Sequence, residues 1–153
     1  MQPAFTERQR IVILVGLPGS GKSTYLERLG IRPLSSDSLR YLLADDETDQ
    51  RVNARVFVAL RYLLRHRLAI GRRVTYIDAT HLGLEERKPY FRIAQAYGCD
   101  VEALFFNVPL AVCKQRNLGR SRIVPDEAME RMADRLVPPR LAEGFAKVTI
   151  VGG

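Results

Sequence analysis

Cysteine is scarce: Cys99 and Cys113 are the only two, and they stand too far apart for a CxxC redox or zinc pair. Two thiols make no disulfide framework, so a secreted disulfide scaffold is excluded and a reducing, cytoplasmic setting is expected. Histidine is equally sparse. His66 and His81 stand alone, which leaves no metal cluster to read. Long apolar runs are missing as well: the amino-terminal segment carries Glu7, Arg8 and Arg10, and the apolar stretch 11–15 is far shorter than a membrane span or a signal core. Neither a targeting segment nor a membrane partner is expected. The sequence also lacks repeats, linkers and low-complexity tracts. Against these absences stands an ordinary globular balance, 46% hydrophobic and 27% charged, at a length of 153 residues that suits one domain over 1–153.

Positive charge is in excess, with 24 Lys and Arg against 17 Asp and Glu and a formal net charge of +7. Such a chain is drawn toward polyanions such as nucleic acid. The plainer alternative is compositional, because 20 of the 24 are arginine, a bias that a GC-rich genome also produces. Position adds information. Residues 51–77 hold seven arginines and no acid, and residues 114–122 hold four basic residues and no acid. Clusters favour an anion site, although a solvated helix face accounts for most arginines between 51 and 73.

The apolar β-branched run 10–15 ends at Gly16 and reads as a strand buried on both faces of a parallel sheet. A short helix over 22–29 follows, then a brief strand over 31–35 compromised by Pro33. Ser35 and Ser36 are candidate N-caps for a helix starting near Asp37. Val52, Val56, Leu60, Leu63 and Leu64 recur at helical spacing within 50–70, closed by Gly71. Further strands are expected over 74–77, 101–106 and 148–151, with helices over 84–97, 110–117 and 126–137, the last broken by Pro138 and Pro139. Alternating strands and helices of this length predict an α/β architecture: a parallel five-stranded sheet with helices on both faces.

The segment Gly16-Leu-Pro-Gly19-Ser20-Gly21-Lys22-Ser23-Thr24 matches GxxxxGK[ST] in full, between a strand and a helix as the motif requires. Its glycines let backbone N–H groups close around a phosphate, and the helix amino end adds partial positive charge. Lys22 would then bridge the β- and γ-phosphates of ATP, and the Ser23 hydroxyl would ligate Mg²⁺. Asp78 ends the neighbouring strand, where it would stand near the metal and its waters; a turn or cap aspartate is the plainer reading. Thr80 shares that rim, and His81 follows as a weaker candidate for substrate contact.

A P-loop defines the donor and says nothing of the acceptor. Asp37 lies just after the second short strand, where it could accept the proton of an attacking hydroxyl. Its alternative is a simple N-cap. Arg40 follows one turn later, so the pair reads as a base beside an anchor for an anionic acceptor, the alternative for Arg40 being a surface residue. Arg116, Arg120 and Arg122 fall in a lid over about 114–126, where an arginine could neutralise charge on the γ-phosphoryl oxygens. A solvated basic loop is the other reading. Val124, beside Pro125, offers a flat apolar surface to a base or else simply begins the next helix.

Taken together, these pieces resemble the kinase domain of the 5′-OH polynucleotide kinases over roughly 11–138. The likeness rests on the P-loop, on Ser35-Ser36-Asp37-Ser38-Leu39-Arg40, on Asp78-Ala79-Thr80-His81, on Phe105-Phe106-Asn107-Val108-Pro109, on Arg116-Asn117-Leu118-Gly119-Arg120 and on Val124-Pro125, in that order. The resemblance implies the P-loop kinase fold with an arginine-bearing lid. It implies that Lys22 and Ser23 serve ATP and Mg²⁺, that Asp37 is the general base, that Arg40 contacts the phosphate beside the acceptor 5′-hydroxyl, and that Arg116, Arg120 and Arg122 are lid arginines. His81 stands where such kinases often have asparagine. The implied partner is a nucleic acid with a 5′-OH end, RNA or DNA, in end repair, with room for a fused or associated end-processing or ligase domain. Two rivals share the P-loop: a small-molecule alcohol kinase of the gluconate or shikimate type, and an NTP-gated nucleic-acid-binding module without kinase activity.

Overall fold

The computed structural model describes residues 8–120 and 123–152. Five strands, β1 (Arg10–Val15), β2 (Leu34–Ser35), β3 (Val74–Asp78), β4 (Asp100–Phe106) and β5 (Lys147–Val151), form one sheet in the order β2-β3-β1-β4-β5, every pairing parallel. Six α-helices connect or follow them: α1 (Lys22–Arg28), α2 (Ser36–Ala44), α3 (Asn53–Ala69), α4 (Leu84–Tyr97), α5 (Leu110–Asn117) and α6 (Asp126–Arg135). This is the expected α/β P-loop kinase fold.

Strand β1 is central and its side chains alternate between two apolar layers, which is why its sequence is apolar throughout. Ile11, Ile13 and Val15 pack against Leu60, Leu64 and Leu68 of α3 and Tyr90, Ile93 and Ala94 of α4. Leu14 faces the other way, onto Leu26 of α1 and Phe106. A third cluster joins Leu17 of the P-loop to Cys113 of α5 and Met129 of α6. Helices thus cover both faces, and the carboxyl ends of β1, β2 and β3 open onto one rim.

Three boundaries differ from the sequence reading by more than one residue. The second strand shrinks to two residues, because Pro33 has no N–H to give a ladder and only Leu34 and Ser35 pair with β3. A 3₁₀ turn over Gln50–Val52, capped by Asp49, precedes α3, so the α-helix begins at Asn53. Helix α6 stops at Arg135 rather than 137: Leu136 is extended, and the Val137 N–H donates to the Leu82 carbonyl at 2.9 Å. The following proline disfavours helical geometry at Val137 as well. Among the described residues, no helix is long and apolar enough to cross a membrane.

Candidate active site

A cleft of about 550 Å³ opens at the rim, lined by Gly19, Gly21, Lys22, Ser23 and Thr24 of the P-loop segment and by Asp37, Arg40 and Asp78. The P-loop's shape follows from its glycines. Gly19 sits at φ +81°, and a Cβ there would stand 2.5 Å from the Cys113 carbonyl, so only glycine lets the loop lie against α5. Gly16 and Ser20 are buried behind the cleft wall. The Gly16 N–H donates to the Thr80 carbonyl at 3.1 Å, which ties the P-loop to the rim after β3, and Thr80 itself lines the cleft.

Lys22 is 8% exposed, and its ammonium donates to the carbonyls of Gly16 and Leu17, both at 2.9 Å. Burial lowers its pKa to about 8; Asp78 opposes that shift and Arg120 adds to it. Beside it the Ser23 hydroxyl donates to Asp78 Oδ2 at 2.8 Å. Burial pushes the Asp78 carboxyl up, against the pull of Lys22 and of the Ser23 hydrogen bond. Asp78 is therefore bound into the P-loop.

Asp37 is not the cap of α2. Ser35 is, its Oγ accepting the Ser38 N–H at 3.2 Å, which leaves the Asp37 carboxylate on the cleft wall. Arg40 donates from Nη1 to Asp37 Oδ1 at 2.7 Å. Its other edge grips Asn53 Oδ1 through Nε at 3.0 Å and Nη2 at 2.7 Å. At 4% exposure Arg40 is no surface residue. A guanidinium fixed at both edges orients the carboxylate that it holds.

From α5 and the loop after it, Arg116 and Arg120 both line the cleft. A Cβ on Gly21 would lie 3.7 Å from Arg116 Nη1, so that side chain hangs over the P-loop. The Asn117 amide between them donates to the Val124 carbonyl at 2.7 Å and accepts the Val124 N–H at 3.1 Å, pinning the base of the loop. Arg122 lies outside the described residues.

Two buried polar atoms have no partner among the described residues, Ser20 Oγ and Arg120 Nη1. A buried N–H without an acceptor is costly, and an anion in the cleft would offset that cost. Oxygen donors fit a hard cation: Ser23 and Asp78 present a hydroxyl and a carboxylate, and no group of three His, Cys, Asp or Glu exists among the described residues to make a metal site of protein ligands alone. Mg²⁺ is usually held in that sparse way, with substrate phosphates completing its shell.

Two expectations are corrected. Val124 presents no surface to a base: it is 6% exposed, packed with Leu17, Leu82, Cys113 and Met129, because its backbone is stapled to Asn117. His81 does not reach the cleft either. Its φ of +49° turns the ring inward, where Nδ1 stands 2.6 Å from the Leu14 carbonyl and Nε2 3.2 Å from the Tyr90 hydroxyl. Burial lowers its pKa to about 4, so the ring is neutral, and Nδ1 carries the proton because a carbonyl can only accept.

Several cleft residues escaped sequence reading: Asn53 and Phe57 of α3, Glu86 of α4, and Met132 and Arg135 of α6. Arg135 pairs with Glu86 at 2.6 Å across the mouth. Fully buried Arg87 holds the same corner together, donating to the His81 and Leu82 carbonyls at 2.9 Å, to Val137 O, and to Glu143 at 2.8 Å.

Comparison with known proteins places this geometry in context. Residues 11–139 match the model of the AAA domain family. A bifunctional polynucleotide phosphatase/kinase of Schizosaccharomyces pombe is 26% identical over 152 residues, covering 94% of this chain and 33% of that protein. The chain thus spans a third of that relative's length. Among solved structures, one chain of a Pnkp1/Rnl/Hen1 RNA repair complex superposes with a TM-score of 0.73 at 22% identity, covering 88% of this chain and 46% of that one. A gluconokinase of Sinorhizobium meliloti superposes at 0.61 with 18% identity, covering 96% and 84%.

Proposed function

The chain belongs to the AAA domain family and has the P-loop kinase fold, and on that footing we propose that it is an ATP-dependent polynucleotide 5′-hydroxyl kinase acting in RNA or DNA end repair. The observation that carries the reading is the shared cleft: Asp37, oriented by Arg40, lines the same cavity as the phosphate-binding loop, and its charge is felt at Lys22.

The nucleoside triphosphate would lie along the P-loop, with the Lys22 ammonium released from the Gly16 and Leu17 carbonyls onto the β- and γ-phosphates. Ser23 and Asp78 would hold Mg²⁺, which when bound neutralises charge on those oxygens. The acceptor 5′-oxygen forms its bond to the γ-phosphorus while its proton passes to Asp37, and the bond from γ-phosphorus to the bridging oxygen breaks to release ADP. Arg120 and Arg116 meet the charge spreading over the γ-phosphoryl oxygens, a contact that in comparable sites contributes on the order of 10²–10³ in rate. Positioning by the Asp37–Arg40–Asn53 chain supplies the alignment that such transfers depend on. The clustered arginines and the polynucleotide phosphatase/kinase relative support a polynucleotide acceptor, with an end-processing or ligase module as the expected associate.

The likeness to a gluconokinase keeps a small-molecule alcohol in view as the second reading. Transfer of labelled γ-phosphate to a 5′-OH oligonucleotide, run beside gluconate and shikimate, decides between them. Label on the oligonucleotide supports the proposal; label on a sugar acid and none on the oligonucleotide defeats it. Oligonucleotide binding gated by ATP with no transfer to any acceptor would point instead to a binding module.

A further inference from the structure

Helix α3 carries Asn53, Phe57, Arg61 and Arg65 at successive four-residue steps, so they form one ridge along its surface. The ridge begins in the active-site cleft, where Asn53 and Phe57 line the wall and Asn53 is one hydrogen bond removed from the arginine that holds Asp37. It ends in a second groove of about 340 Å³ between α3 and α4, lined by Arg61, Arg65, Pro89, Arg92 and Tyr97. Among the described residues none of these three arginines forms a salt bridge, and Arg92 only adds to Lys88 in holding the Glu85 carboxyl below its usual range. On α4, Glu85 is paired with Lys88 at 2.8 Å and Glu86 with Arg135 at 2.6 Å. Tyr97 is 39% exposed at the far end.

We infer that this α3–α4 groove is the exit track of the acceptor strand, with Arg61, Arg65 and Arg92 holding its backbone phosphates and Tyr97 giving a base a ring to stack on. The inference rests on the polynucleotide reading and extends it to where the rest of the strand goes. At 1.5 Å rise per residue, Asn53 to Arg65 spans about 18 Å. Roughly five nucleotides of stacked single strand cover that distance at about 3.4 Å each. A small anionic acceptor has no tail to reach so far. A basic groove with an aromatic at its end, sequence-independent in its contacts, is how single strands are commonly held.

The test uses the full chain, a 3′-fluorescein 5′-OH strand of twelve nucleotides, and the triple variants Arg61→Ala/Arg65→Ala/Arg92→Ala and Arg61→Lys/Arg65→Lys/Arg92→Lys. Fluorescence anisotropy should show Kd for the strand weakened at least about tenfold in the alanine variant, with the slope of log K against log salt shallower by about 2, at roughly 0.7 per lost phosphate contact. The lysine variant should retain most of the binding. In transfer assays the alanine variant should raise KM for the long strand far more than KM for a dinucleotide, with kcat on the long strand held. Equal affinity and equal salt slope in wild type and alanine variant overturn the track, as does a wild type that does not bind the strand; the groove would then suit an acidic partner protein. The two readings separate cleanly: transfer with an unaltered KM sinks the groove and leaves the kinase, whereas groove-dependent binding without transfer upholds the groove and sinks the kinase.

Discussion

Arg40 reaches back one helical turn to hold Asp37, Nη1 to Oδ1 at 2.7 Å, while its other edge is fixed by Asn53. The carboxylate is therefore presented to the cleft at an angle set by α3 as well as by its own helix. If it takes the acceptor proton, Asp37→Asn keeps the shape, the ATP site and one partner for Arg40, and removes only the base. We expect kcat to fall by about 10²–10⁴ with nucleotide affinity held within a few-fold. Single-turnover transfer to a 5′-OH oligonucleotide, paired with a nucleotide-binding titration, measures both; retention of the wild-type rate would remove Asp37 from the chemistry.

Arg120 carries a buried Nη1 with no partner among the described residues, the opposite of how a structural arginine is treated, as Arg87 shows with its nitrogens bound by carbonyls and Glu143. An unpaired buried N–H costs about 1–3 kcal/mol. Arg120→Met should therefore leave the ligand-free protein as stable as wild type or more so, by up to about 1–2 kcal/mol, and still lower kcat by about 10²–10³. Urea unfolding and transfer kinetics on the same preparation are the measurements. A variant that loses stability in step with activity would make Arg120 a structural residue.

The donor half of this site was legible because it is local: nine consecutive residues, Gly16 to Thr24, carry their own backbone geometry, and the Asp37–Arg40 pair needs only one helical turn. The sheet was legible for a similar reason, since β1 is apolar on both faces after Arg10 and β4 is apolar on one face and at its carboxyl end, as parallel strands covered by helices are. Asn53, Glu86 and Arg135 were not, because three separate helices bring them to the mouth and no spacing in the sequence relates them. His81 and Val124 misled through adjacency. His81 follows the rim residue Thr80 and Val124 precedes Pro125 at the end of the basic loop, but a left-handed backbone turns His81 into the core, and the Asn117 staple turns Val124 there too.

Lys22 without nucleotide has its pKa lowered to about 8 from 10.5, chiefly by burial. Between those values the unfolded chain binds a proton that the folded chain does not, so stability rises with pH across that window, and below about pH 8 the desolvated ammonium weighs against folding. Phosphates restore the charge. At about pH 8.5 the lysine is mostly neutral before binding and protonated after it, so nucleotide binding should draw up to one proton per site from solvent and weaken as pH climbs further. Calorimetry in two buffers of different ionisation enthalpy reads that uptake directly. The Lys22→Met variant should show none, and wild type showing none at that pH would mean that the ammonium is already fully charged in the free protein.

His81 makes the matching prediction for acid. Its ring is neutral and buried, donating from Nδ1 to Leu14 and held at Nε2 by the Tyr90 hydroxyl, with a pKa lowered to about 4 from 6.5. From pH 6.5 down to about 4 the unfolded chain takes a proton that the folded chain refuses, so this residue's stability contribution is complete above pH 6.5 and is lost across that window. The shift corresponds to a loss on the order of 3 kcal/mol. Asparagine tolerates the φ of +49° at this position and does not titrate. The His81→Asn variant should therefore start less stable at neutral pH, having lost ring packing against Tyr90, yet decline less on acidification, by roughly 2–3 kcal/mol between pH 7 and 4.5. Urea unfolding at those two pH values gives the comparison, and parallel declines for the two proteins would show that the acid sensitivity of the fold lies in its carboxylates and not in this ring.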